Sequence, residues 1–81
     1  LNVEVRLFAA ARQLAGREKV ILTLDAPETV AQLRLALASQ IPALADLAPR
    51  IVFALNAEYA REDQPVSADA EIAAIPPVSG G

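Results

Sequence analysis

Only one stretch of this 81-residue chain carries apolar residues at helical spacing over several turns. Val30, Leu33, Leu37 and Ile41 line one helix face, and Leu44 extends the series. Thr29 stands before it and Gln32 three residues later, the pattern of a capping box. Pro42 halts it, because the residue before a proline is pushed out of helical backbone. The spacing predicts one main helix over residues 30–40. The rest of the chain must fold around that single helix.

The flanking runs read as strands. Residues 2–8 alternate, with Val3, Val5 and Leu7 on one side and Asn2, Glu4, Arg6 and Phe8 on the other. Phe8 thus closes a polar series. Residues 9–15 read as one or two helical turns capped by Gly16. Val20, Leu22 and Leu24 then alternate with Lys19, Ile21 and Thr23, which suggests an antiparallel hairpin with the first run. Residues 50–56 are almost continuously apolar and read as a strand inside the sheet, with Ile51, Phe53 and Leu55 on one face. The polar stretch 57–69 reads as a loop with a short strand near Glu58–Ala60, its acidic side chains solvated. In Glu71–Ile75, Ile72 and Ala74 face one way and Glu71, Ala73 and Ile75 the other. Pro76 and Pro77 stop that strand, since proline cannot donate to a sheet.

This order predicts an α+β fold: a mixed sheet of about five strands with one main helix on one face. It is the β-grasp, or ubiquitin-like, arrangement, with the first and last strands as parallel central neighbours. Val3, Val5, Leu7, Leu33, Leu37, Ile51, Phe53, Leu55 and Ile72 form the expected core. Residues 1–75 make the domain and 76–81 an extended tail.

Composition then limits the chemistry. The chain has no Cys and no His. That removes disulfides, takes away the usual ligands of a zinc site and excludes a nucleophile–His pair. No metal site is expected, and the chain should not be an enzyme on its own. Any catalytic acids and bases belong to another molecule. The net charge is −3 with scattered basic residues, which argues against nucleic acid. No run approaches the ~20 apolar residues of a membrane span. The expectation is a soluble, cytoplasmic protein.

The last six residues, Pro76-Pro77-Val78-Ser79-Gly80-Gly81, are the most informative. Two prolines stiffen the exit from the sheet. Gly80 and Gly81 then carry no side chain beside the final carboxylate. Such a tail can thread a channel that a Cβ would block, and its last carbonyl carbon is open to attack.

At these residues the chain resembles the small subunits of molybdopterin synthase, the sulfur carriers of molybdenum-cofactor synthesis. The matching stretches are Leu7–Gly16, Thr29-Val30 with Leu33-Arg34, Ala54-Leu55-Asn56 and Ile75–Gly81. Gln13 stands where that family often has an acidic residue, and Ile75 where it often has an aromatic. The resemblance implies that an adenylating activating enzyme uses ATP and Mg²⁺ on the carboxylate of Gly81. A sulfur donor, through a sulfurtransferase, then makes the thiocarboxylate. The tail of Pro76, Pro77, Val78, Ser79 and Gly80 enters the large subunit, where sulfur passes to cyclic pyranopterin monophosphate. The resemblance further implies a heterotetramer of two small and two large subunits. The chain itself is expected to bind no cofactor.

Docking needs a surface. Phe8, Tyr59 and Ile75 are the apolar candidates for the partner interface, and Arg12 is a polar candidate beside them. Three other readings stay open. One is a sulfur carrier of another pathway, such as thiamin synthesis. Another is a ubiquitin-like modifier joined to target lysines. The third is an interaction module with an inert tail.

Overall fold

The structure, a computed structural model, describes residues 1–77. The elements are β1 (Asn2–Leu7), α1 (Ala9–Ala15), β2 (Lys19–Thr23), α2 (Val30–Gln40), β3 (Val52–Leu55), β4 (Glu58–Tyr59) and β5 (Ile72–Ile75). Two 3-10 turns, Pro42–Leu44 and Ala48–Arg50, join α2 to β3. The five strands form one sheet in the order β2-β1-β5-β3-β4. The pair β1–β2 is antiparallel, β1–β5 is parallel, and β3 is antiparallel to both β5 and β4. This is the β-grasp arrangement, with β1 and β5 side by side near the middle.

Alternation decides which face is covered. Val3, Val5, Leu7, Val20, Leu22, Phe53, Leu55, Ile72 and Ala74 are buried beneath α2 and the 3-10 turns. From the helical layer come Val30, Leu33, Ala36, Leu37, Leu44, Leu47 and Ala48. Ile51 joins them at the entry to β3. Full burial of one such Leu, Val or Phe side chain contributes about 1.5–3 kcal/mol relative to exposure. All nine expected core residues are buried.

The first strand ends one residue earlier than the alternation suggests. Phe8 keeps extended backbone but already serves as the N-cap of α1, and Ala9 turns at a positive φ of 49°. Gly16 closes α1 in left-handed backbone, its N–H donating to the Arg12 carbonyl at 2.9 Å.

The N-terminus of α2 shows how the polar loop is used. A helix leaves its first four N–H groups without intrahelical partners. Here Val30 N–H donates to the Gln64 carbonyl and Ala31 N–H to the Glu62 carbonyl, at 3.0 and 2.9 Å. Gln32 N–H donates to the Thr29 hydroxyl at 3.4 Å, and Leu33 N–H to the Thr29 carbonyl at 2.9 Å. Val66 from the same loop is buried, and its N–H donates to the Glu28 carbonyl at 2.8 Å. The loop's acidic side chains are therefore exposed, while its backbone and the Val66 side chain are structural.

Candidate functional site

The uncovered face of the sheet is set by the residues that alternate with the core. Strand register orders them in rows. One row reads Tyr59, Ala54, Ala73, Arg6 and Lys19 across the five strands. The next row pairs Val52 with Ile75. The parallel β1–β5 register, carried one residue past Leu7 and Ala74, brings Phe8 alongside Ile75. Phe8 is 41% exposed and Val52 45%, while Ile75 is half-buried. These three apolar side chains lie at the end of the sheet where β5 leads into the prolines.

Pro76 continues the alternation inward and is buried; Pro77 is exposed. The chain thus leaves the domain beside Phe8, Val52 and Ile75. Val78, Ser79, Gly80 and Gly81, the rest of the expected tail, lie outside the described residues.

Tyr59 is on the same face and is the most exposed large apolar residue, at 78%. It is not in the Phe8 cluster. Ala54 and Ala73 lie between it and β1, and three strand spacings amount to about 14 Å. The two alanines keep the middle of the face low. They help line a shallow groove with Phe8, Arg6, Glu4 and Ala57. By register Phe8 and Ile75 thus stand at the same end of neighbouring strands, and Tyr59 marks the far rim.

Arg12 projects from α1 and pairs with Glu18 at 3.8 Å, both largely exposed. With Arg6, Phe8 and Lys19 it borders a second depression next to Phe8. Among the described residues no group of three or more His, Cys, Asp or Glu could hold a metal ion.

Two residues escape a reading of the chain in one dimension. Val52 belongs to the nearly all-apolar run that predicts a strand covered on both sides, yet it is exposed. Its phase, odd against Ile51, Phe53 and Leu55, was the available signal. Arg34 escapes too. Lying off the apolar stripe of α2, it nonetheless reaches the core edge. Its Nη1 donates to the carbonyls of Ala48 and Ile51 at 2.6 and 2.5 Å, and its guanidinium lies 5.1 Å from the centre of the Phe53 ring. Arg34 thereby fixes the chain just before Val52 and with it the phase of β3. Its hydrogen bond to Glu62 holds that carboxyl below the ordinary glutamate value. Slight burial opposes this shift, and the Arg34 charge adds to it.

The comparisons with known proteins agree with this geometry. The ThiS family model matches residues 5–81. The chain is 35% identical over 81 residues to the molybdopterin synthase sulfur carrier subunit of Arabidopsis thaliana, covering 100% of this chain and 84% of that one. The crystal structure of SAMP1 from Haloferax volcanii superposes with a TM-score of 0.83 at 31% identity, covering both chains fully. A protein–protein complex of subunits 1 and 2 of molybdopterin-converting factor from Helicobacter pylori contains a chain of the same fold. Its TM-score is 0.67 at 24% identity, with both chains covered fully. The β-grasp sheet, the apolar patch at the root of the tail and the full-length matches lead to one conclusion: this chain belongs to the ThiS family, as its likeness to the molybdopterin synthase sulfur carrier subunits also indicates.

Proposed function

We propose that this chain is the sulfur-carrying small subunit of molybdopterin synthase. The observation that carries the reading is its full-length likeness to a sulfur carrier subunit of that enzyme. The exposed Phe8 and Val52 with the half-buried Ile75 beside the exit of β5 add support, because an apolar patch there suits a partner that receives the tail. In this reading Gly81 is the terminal residue. Its carboxylate is adenylated by an activating enzyme at the expense of ATP with Mg²⁺, releasing pyrophosphate. AMP is a good leaving group where carboxylate oxygen is a poor one. A sulfur nucleophile, supplied through a sulfurtransferase, displaces AMP and leaves the thiocarboxylate. The tail from Pro76 to Gly80 then enters the large subunit, whose residues supply the acid–base chemistry. Sulfur passes there to cyclic pyranopterin monophosphate. Phe8, Ile75 and Arg12 contact the partner at the root of the tail, and Tyr59 contacts it at the far rim.

Intact-mass measurement after incubation with an activating enzyme, ATP and a sulfur source tests this. The expected result is a mass rise equal to exchange of one oxygen for sulfur, located at Gly81. Reconstitution with the large subunit should then convert the precursor to a dithiolene. An unchanged mass beside a competent activating enzyme would sink the carrier reading.

A second reading is favoured by one observation, the 31% identity and 0.83 TM-score to a solved SAMP1, a relative described as a small archaeal modifier protein in the structure of the same organism's protein. In that reading Gly81 is joined to a target lysine. The same incubation in a cell extract would yield higher-mass protein adducts in place of the sulfur exchange.

A further inference from the structure

We propose that Arg6 and Lys19 form a specificity-determining cation pair that accepts a carboxylate from the protein receiving the tail. This rests on the docking face described above and names the chemistry of its rim.

The register places Arg6 directly opposite Lys19 on the uncovered face. Leu7 N–H donates to the Glu18 carbonyl, so the adjacent Arg6–Lys19 pair is a non-hydrogen-bonded one, in which side chains stand closest. Like charges directly opposite each other destabilise a sheet. Glu4 relieves this only on one side, reaching Lys19 at 3.5 Å between two well-exposed side chains. Among the described residues Arg6 has no acidic partner within ion-pair distance. The free domain answers only the Lys19 half of this arrangement, whereas a bound anion would answer both cations.

Charge distribution strengthens the point. Residues 1–19 hold four cations, Arg6, Arg12, Arg17 and Lys19, against two acids. Residues 20–81 hold three cations against eight acids. An acidic protein thus presents a cationic corner, and the corner lies beside Phe8 at the tail end of the sheet. A partner with an Asp or Glu next to its apolar pocket would be steered to this corner and repelled elsewhere. The contact therefore sets the orientation in which the tail arrives.

The test is the association rate of the full chain with the large subunit of molybdopterin synthase from the same organism, measured at low and high salt. R6Q/K19Q should keep or raise the thermal midpoint of the free chain. It should also slow association by about tenfold at low salt and flatten the salt dependence. The single variants R6Q and K19Q, each removing one charge, should fall between, and they serve if the double variant loses its fold. F8D reports on the docking face itself. Weakened binding by F8D with an unchanged rate and salt slope for R6Q/K19Q overturns the cation-pair inference alone. Binding untouched by any of these variants overturns the docking face and the inference together.

Discussion

Arg34 and Glu62, 28 residues apart in the chain, meet in a two-pronged ion pair: Nε donates to Oε1 at 3.0 Å and Nη2 to Oε2 at 2.7 Å. The same guanidinium also ties down Ala48 and Ile51 through their carbonyls. One side chain of α2 thus holds both the loop that caps its own helix and the segment that enters β3. Such planar, forked geometry is what arginine offers and lysine does not.

Arg34→Ala should therefore cost more than a surface ion pair. It takes the arginine donor away from two part-buried carbonyls, of which that of Ala48 keeps the Ile51 N–H at 3.2 Å, and it removes the cation from the Phe53 ring. We expect a loss of about 2–3 kcal/mol by urea unfolding. Arg34→Lys should recover only part of it. Glu62→Gln, at a half-exposed carboxylate, should cost no more than about 1 kcal/mol. Equal, small effects of Arg34→Ala and Glu62→Gln would show that the carbonyl contacts add nothing.

The Glu62 carboxyl is held below its ordinary value in the folded state. A depressed carboxylate stabilises the fold above its unfolded pKa, about 4.3, and loses that contribution as pH falls through the folded value. The stability gap between the parent chain and Glu62→Gln should be full at neutral pH. It should shrink only once the pH drops below the ordinary glutamate range. Denaturation midpoints of both proteins from pH 7 into the acid range check this. A gap that closes near pH 6 would point to a different group.

The turn between β3 and β4 runs through Asn56 and Ala57, both in left-handed backbone at φ 52° and 69°. Asparagine tolerates that region; alanine meets its own Cβ there. Asn56 also has work to do, accepting at 2.9 Å from the Glu71 N–H with its side chain. Ala57→Gly should stabilise the domain by about 0.5–1 kcal/mol, after allowing for glycine's greater freedom when unfolded. Asn56→Gly should not, because it gives up the tie to Glu71. Thermal melts of the two variants should move in opposite directions.

Phe8→Asp and Val52→Asp place charge on the uncovered face at positions about 40–45% exposed. Each should leave the melting temperature within a few degrees of the parent while weakening large-subunit binding by at least about tenfold, the effect of losing about 1.4 kcal/mol. Tyr59→Asp, three strand spacings away, should weaken it less. Titration calorimetry gives the ranking. A Tyr59 effect larger than that of Phe8 would shift the centre of the interface to the β4 edge.

Much of this molecule is legible along the chain. The Val30–Gln40 helix, its Thr29 cap and its stop before Pro42 are local: they depend on spacing, a hydroxyl and the restriction before a proline. The inward sets of β1, β2 and β5 follow from simple alternation. Phe8 and Ile75 were readable as outward-facing for the same reason. Val52 was marked only by its phase against Ile51, Phe53 and Leu55, because an unbroken apolar run has no polar residue to show which side is the outer one. Arg34 was not, because a charged residue off a helical stripe looks solvated until its partners are known. Those partners, Ala48, Ile51 and Glu62, are 14, 17 and 28 residues away.

Sequence alone determined the elements, their caps, the apolar core and the Gly-Gly ending that directs attention to Gly81. These rest on short-range geometry and on the burial of alternating side chains. Only the tertiary structure decided what stands next to what. Strand register joined Phe8, Val52 and Ile75 into one patch, separated Tyr59 from it, and set Arg6 against Lys19. Register is a property of pairs of strands, settled when many weak contacts are satisfied together, so no single stretch of the chain contains it.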